Sequence, residues 1–592
     1  MRRRPPARIQ WVCLDSTTVN EETVLFEVLM ANPRPESHSS ALRSRFRSAG
    51  PHTRSRQACV SRAAAGSVSS RAKCAAACRR ERYHRRVRPP SGVEAEFGAL
   101  QQKLVPLWRS ISHINQDPQT IVVVPSLSLE STIQGVRQQA YEERFLFLLL
   151  LLRQPRARLV YVTSQAIHPD IVDYYLDLLP GVISVHAKKR LFLVSPHDGS
   201  AMPLTQKLLD RPALLDHMRS LILDADRAHL VPFNTTSLER DLALRLGIPM
   251  YGADPKFAVL GTKSGSRRIF AEANVPHPAG AEGIRTADDV IEAIATMRAQ
   301  TRSLARVMVK LDEGVSGEGN ATVDLTGLSA SRDAAERHAI AERVLAMRFE
   351  LAGATYDTYM AKLAERGGIV EERISGTDFR SPSAQLRITP LGEVEALSTH
   401  DQVLGGPSGQ AYLGCRFPAT AEYGPAIMRE AIKVGRRLKQ QGVLGRFAVD
   451  FVAVRNQRGD WDLYAIEINL RKGGTTHPFL TLQFLTDGRY DSERGVFETP
   501  RGESKCFVAT DHLESPAYRG LTHDHLFDLA VGEGLHFDQS RQTGVVFHMM
   551  NALEELGLVG LTAVANTHEE ADALYTKAVS ALDRLAASPR AM

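Results

Sequence analysis

The chain has 592 residues, 43% of them hydrophobic and 24% charged, with a formal net charge of +6 and six cysteines. That composition is ordinary for a globular protein, and the length predicts three or four domains at ~150 residues each. It excludes a disulfide-framed miniprotein, and a helix spanning a membrane is not expected: the longest apolar run, Phe145 to Leu152, has eight residues, against the ~20 that a bilayer requires.

The charge is unevenly placed. Residues 1–92 carry 19 Lys/Arg against 6 Asp/Glu, leaving 54 basic and 61 acidic residues for the remainder. This Arg-, Ser-, Ala- and Pro-rich segment has no sustained periodicity and too little apolar surface to offset the entropy of ordering. It is expected to be a disordered tail or an upstream extension outside the fold. A nucleic-acid-binding arm is disfavoured, because its arginines lack interleaved aromatics. A secretory signal is not expected, since no apolar segment ends in a small-residue cleavage site. Four cysteines (Cys13, Cys59, Cys74, Cys78) lie in this segment and only Cys415 and Cys506 follow. With no disulfide framework, a reducing cytoplasm is the expected location.

From Gly92 short apolar runs alternate with helical patterns. Strands are predicted at Ile121–Pro125, Leu159–Thr163, Leu191–Ser195 and Leu230–Phe233, and helices over Gln138–Arg153, Asp170–Leu179, Leu204–Leu223 and Ser237–Leu246. Such alternation predicts a parallel sheet covered on both faces, a Rossmann-like domain over 93–255. No G-x-G-x-x-G follows a strand, so nothing argues for NAD.

Lys263 then opens a predicted helix, Ser264–Ala273, which leads to Val275 and Pro276. Arg306–Leu311 reads as a strand with Lys310 inside its apolar run. A loop with Gly314, Ser316, Gly317 and Gly319 and a second strand from Ala321 follow. This is strand–loop–strand, not a P-loop. Backbone N–H groups of a glycine loop fold over phosphates, and Lys310 suits their charge; an ordinary hairpin with a snorkelling lysine is the competing reading. At GIVEERISGTDF, residues 368–379, a strand runs into a turn carrying Glu371, Glu372, Ile374 and Asp378. Free backbone and carboxylates suit adenine and ribose, and an exposed acidic strand end competes. Arg387, His400 and Asp401 are polar positions that the sequence does not sort.

The most informative stretch is 445–478, read as two strands, Phe447–Val454 and Trp461–Leu470, around a turn of Asn456, Gly459 and Asp460. Asp450 lies in the first strand. Glu467 and Asn469 alternate with Ile466 and Ile468 in the second, so both point to one face, with Arg471 next on it. Three oxygen ligands suit Mg²⁺, which leaves positions open for phosphate, and the guanidinium is available to an anion. The competing reading is a solvated hairpin face. After 485 the pattern is that of a small α+β domain. His512, His523, His525 and His548 fit no zinc spacing, so the α+β reading is preferred over a metal site.

In this order the pieces resemble the ATP-grasp superfamily of carboxylate–amine ligases. Lys263 to Pro276 looks like the D-alanine ligase pattern of a nucleotide-binding lysine, a helix and Val-Pro. EERISGTD is similar to the segment holding adenine and ribose, and EINLR to the Glu-x-Asn-x-Arg of the biotin carboxylase branch. VSPHDGSAMPLTQKLLDRP, STHDQVLGG and the C-terminal part resemble the pheganomycin-type peptide ligases. The chain departs in residues 1–92 and in Ala448, which stands where the D-alanine ligase pattern has an arginine; Arg446 is the nearest substitute.

The resemblance implies an α/β and α+β multidomain protein: a pre-ATP-grasp domain (93–255), an ATP-grasp domain (256–484) and a small C-terminal α+β domain (485–592). It implies ATP bound by Lys263, Lys310, the 314–319 loop and Glu371–Asp378. Mg²⁺, or Mn²⁺, would be bound by Asp450, Glu467 and Asn469, with Arg471 and Arg446 as catalytic groups. A small-molecule acid and an amine, an amino acid or short peptide, would be joined through an acyl phosphate with release of ADP. A phosphotransferring or non-catalytic ATP-binding protein is the alternative. No membrane partner is implied, and assembly into homo-oligomers is left open.

Overall fold

The computed structural model describes residues 92–588, apart from 114–117, 129–132, 179, 315–318, 330, 332, 352, 377 and 406–410. The basic tail lies outside the described residues, as do Ser316 and Gly317. The chain divides into two compact units. Of the smaller, Asn32–Ala99, the described part is the first turns of one helix, Gly92–Gln101. All elements below belong to the larger.

Strands β1 (Gln119–Val124), β2 (Ala157–Val162), β3 (Leu191–Val194) and β4 (Ala228–Pro232) form a parallel sheet in the order β3-β2-β1-β4. β1 is buried along its whole length, which is why it reads as an unbroken apolar run. The stretch expected as one helix, Gln138–Arg153, is α-helical only over Val136–Glu143 and continues as a 3-10 helix over Arg144–Arg153. Every residue from Arg144 to Leu152 is buried, so no solvent-facing stripe marks a helical period there. Leu204–Leu223 is likewise two helices, Leu204–Leu209 and Pro212–Leu221, because Pro212 has no N–H to continue the first.

A second, antiparallel sheet holds β5 (Gly280–Ile284), β6 (Arg306–Leu311), β7 (Asn320–Asp324), β8 (Arg348–Phe349) and β9 (Gly368–Glu372), ordered β5-β9-β6-β7-β8. Helices Ala287–Gln300, Ala334–Leu345 and Tyr356–Arg366 complete its core around Ile294, Val309, Val323, Ile340 and Leu363.

Strands β10 (Phe379–Arg380), β11 (Pro382–Ile388), β12 (Val394–Gly405), β13 (Ala411–Phe417), β14 (Gly445–Arg455) and β15 (Trp461–Asn469) come next. A ribbon of β16 (Arg489–Asp491) and β17 (Val496–Glu498) precedes β18 (Cys506–Glu514), β19 (Gly544–His548) and β20 (Leu558–Ala565). Apart from the ribbon, these form one nine-stranded sheet, β10-β14-β11-β12-β13-β18-β20-β19, with β15 paired to β14. The segment after 485 has the expected α+β content, and its strands hydrogen-bond onto the β13 edge, Gly414 opposite Thr510 and Phe417 opposite Phe507. β13 is thereby no open edge. Helix Gly424–Gln440 packs on β11 and β12 at Gly435, where a Cβ would lie 2.6 Å from Val394 Cγ1. Among the described residues no helix is long and apolar enough to cross a membrane.

Candidate active site

β14 and β15 form a hairpin whose register sets Asp450 opposite Glu467 and Ala448 opposite Asn469. Asn469 Nδ2 donates to Asp450 Oδ2 at 2.9 Å, and Gln402 Nε2, from β12, donates to Oδ1 at 3.1 Å. Burial, and then the neighbouring Glu467 charge, push the Asp450 carboxyl up to about 6. The ladder shifts register between Asp450 and Phe451. This bulge overturns the simple alternation: Ile468 is in the core, whereas Ile466 joins Glu467 on the wall of the cavity described below. A bulge of this kind re-aims side chains beside a site.

Lys263 reaches this pair from the helix Lys263–Glu272, with Nζ 3.8 Å from Glu467 Oε1. Three contacts fix that helix. Thr262 caps it by accepting from Gly265 N at 3.0 Å. Gly265 is required because a Cβ there would lie 1.9 Å from Val259 O. Ser266 Oγ accepts from Ile468 N at 3.0 Å, clamping the helix to β15 between Glu467 and Asn469. Lys263 N and Ser264 N also donate to Asp312 O (3.1 Å) and Oδ1 (2.8 Å), just past β6.

On β6, Lys310 Nζ lies 2.5 Å from Glu371 Oε1, diagonally across the β6–β9 ladder. Arg267, from the Lys263 helix, approaches Glu371 Oε2 at 3.2 Å. A carboxylate between two cations is well compensated in the interior. One cavity of about 1160 Å³ is lined by Lys263, Lys310, Gly314, Glu371, Glu372, Ile374, Asp450, Glu467, Asn469 and Arg471. Burial lowers the Arg471 guanidinium, while Glu467 and Asp450 favour its charge.

Three of the expected residues are not on this wall. Asp378 turns its carboxylate to Arg455 (3.2 Å) and Arg380 (3.1 Å), and the segment after β9 lines the cavity through Glu372 to Gly376 instead. Arg446 shares a strand face with Asp450 but lies beyond Ala448, opposite Arg387, and burial first, then the Arg446 charge, lowers Lys472 to about 7. The strand simply carries it past the end of the cavity. The Gly319 carbonyl accepts from Leu311 N (2.9 Å) and Tyr359 OH (3.0 Å), closing the hairpin.

The polar residues of β11 and β12 are now sorted. Arg387 pairs with Glu395, and Asp401 accepts from Tyr423 OH at 2.6 Å. His400 is buried against Ser398, and burial holds it down to about 3. Their neighbours Ser383, Gln385 and Gln402 line the cavity. Neutral residues in a strand carry no motif; only the register identifies them.

An ATP-grasp family model described as IQCH-like matches residues 256–348 and 338–493, and a PGM1 C-terminal domain model matches residues 525–578. An L-propargylglycine–L-glutamate ligase of Streptantibioticus cattleyicolor is 33% identical over 450 residues, 74% of this chain and 88% of that enzyme. The chain belongs to the ATP-grasp ligase family. IQ motif-containing protein H of Danio rerio is 25% identical over 523 residues, which span 79% of this ATP-grasp ligase and 48% of that protein. The solved ADP complex of N5-carboxyaminoimidazole ribonucleotide synthetase gives a TM-score of 0.45 at 12% identity, covering 79% of this chain and 98% of that one.

ATP-grasp ligases act with ATP and a divalent cation, and this site suits both. Two facing carboxylates, one of them held above its ordinary range, and an amide oxygen are a donor set that gains from a hard cation. Two lysines and an arginine on the same cavity suit a polyphosphate.

Proposed function

We propose that this ligase joins the carboxylate of one amino acid or short peptide to the amine of another, cleaving ATP to ADP and phosphate. The reading rests on one observation: Lys263 from a helix, Lys310 from β6, Asp450 from β14, and Glu467, Asn469 and Arg471 from β15 and its end line one cavity. Kinship with an enzyme named for two amino acids supports the substrate class. Most of the cavity wall belongs to the segment assigned to a central domain, 256–484, with Arg144 and Phe233 from the domain assigned to 93–255 and Asp511 and His512 from that assigned to 485–592.

Lys263 and Lys310 hold the phosphates, and the backbone of Glu372–Gly376 frames the base. Gly314 opens the loop assigned to cover them. Glu371 positions Lys310 and Arg267. Asp450, Glu467 and Asn469 hold Mg²⁺, with Mn²⁺ the alternative; when bound, the ion neutralises charge on the phosphates. A substrate carboxylate oxygen attacks the γ-phosphorus in line, and the bond to the ADP oxygen breaks. The amine nitrogen then attacks the acyl carbon, phosphate departs and the nitrogen loses a proton. Positioning and charge stabilisation dominate such a transfer. Arg471 supplies a fixed cation for both the transferring phosphoryl and the later oxyanion.

The test is a screen of amino acids and short peptides for ATP-dependent phosphate release, with mass spectrometry of the products. An amide is expected. A phosphorylated acid that never takes up an amine would remove the second step, and no phosphate release with any acid would remove the reading.

A further inference from the structure

We propose that His477, Asp511 and His548 form a second metal site, for a first-row transition-metal dication with zinc as the expected occupant. The three come from different elements: His477 from the first turn of helix Thr476–Thr486, Asp511 from β18 and His548 from the end of β19. His548 Nε2 lies 2.9 Å from Asp511 Oδ1, His477 Nε2 lies 3.2 Å from the same oxygen, and the two nitrogens are 3.1 Å apart. Each donor atom thus faces the other two. Ligand atoms ~2.0–2.1 Å from a tetrahedral zinc lie a little over ~3 Å from one another, the spacing found here. The side chains are 4%, 3% and 3% exposed.

The donor set selects the ion. Two imidazoles with one carboxylate suit zinc and its neighbours, whereas Mg²⁺ takes oxygen. It therefore differs in kind from the Asp450–Glu467–Asn469 set. Neutral imidazoles are the ligating form.

The surroundings are built around the cluster. The buried Arg144 guanidinium takes Asp511 Oδ2, so Oδ1 alone is turned to the imidazoles. Outer partners of this kind orient ligating carboxylates. Gly560, on β20, leaves room for the His548 ring, since a Cβ there would lie 2.1 Å from Nε2. Asp511 and Arg144 also line the ligase cavity, so an ion here fixes one of its walls. Histidine spacing concealed the site, because His477 lies outside the histidine-rich run and the third donor, Asp511, is a carboxylate.

The test needs no ligase activity. Chain purified without chelator should carry about one zinc by elemental analysis, and cobalt exchanged in its place should show the intense visible absorption of a tetrahedral site. His477→Gln and His548→Gln should each lose the zinc and the cobalt band. Arg144→Lys should weaken binding roughly 10–100-fold. Glu467→Gln, which leaves the three ligands intact, should keep both signals. The proposal is overturned if the wild-type chain carries no zinc and binds no cobalt, or if the band survives in the histidine variants. Should those variants not fold, the wild-type metal content and its loss with a falling melting temperature under chelator decide alone.

Discussion

Asp450 and Glu467 stand directly opposite each other across the β14–β15 ladder. Like charges in that relation destabilise a sheet. Lys263, 3.8 Å from Glu467, offsets part of the repulsion; burial first, and then the Glu467 charge, raise the Asp450 carboxyl. The hairpin therefore concentrates negative charge that a dication held there would offset.

The first prediction is a pH dependence. An unfolded aspartate titrates near ~3.9, whereas Asp450 in the fold titrates at about 6. A raised carboxyl contributes stability that is fully present below the unfolded value and lost as pH rises through the folded one. Asp450→Asn escapes that loss, so the nucleotide-free variant should melt higher than wild type above pH ~7, with the gap closing towards pH ~4. Stabilisation by Mg²⁺ and ATP needs the ionised carboxylate, so in wild type it should fade as pH falls below about 6. Melting curves with and without ligand check both halves; the same pH profile in the two proteins would exclude this role for Asp450.

Glu467→Gln combined with Asn469→Ala removes one charge and one donor from the proposed metal set. Carboxylate-dependent ADP release should fall roughly 10²–10³-fold or more, the range for losing a group that stabilises transition-state charge. Circular dichroism should be unchanged, because both side chains are only partly buried. Undiminished turnover in a folded variant would remove the assignment.

Lys310 and Glu371 should separate by their effects. Lys310→Ala leaves Glu371 paired with Arg267, so the fold survives. ATP binding should weaken roughly 10-fold or more, the worth of one charge-assisted hydrogen bond. Glu371→Ala leaves both Lys310 and Arg267 without their shared buried carboxylate. It should cost about 3–5 kcal/mol of stability. Calorimetry with ATP and denaturant unfolding distinguish them; equal ATP affinity for Lys310→Ala would count against a phosphate role.

Much of this was legible wherever one residue type repeats at a short period. The β14–β15 hairpin, Lys310 within its apolar strand and the parallel sheet all follow from local pattern. Long-range pairing is not local. Nothing in Ala411–Phe417 announces that Cys506–Glu514 will lie beside it. The bulge that swings Ile466 onto the cavity depends on two strands meeting out of step. Asp378 matched a motif by spacing, yet Arg455 and Arg380 hold its carboxylate. Arg446 has the right strand parity and the wrong depth.

Gln402 is the residue that only register reveals, and it carries the last prediction. Its amide donates to Asp450 Oδ1, while Asn469 holds Oδ2. Both oxygens of the carboxylate are thus oriented, and a second partner of this kind commonly sets 10–100-fold, roughly, of metal affinity. Gln402→Leu keeps the bulk and removes the donor. The Mg²⁺ concentration giving half-maximal activity should rise by about that factor, while ATP affinity measured without metal stays the same, since Gln402 touches no assigned phosphate ligand. A shift in both, or in neither, would remove this role from Gln402 and leave Asn469 as the orienting group.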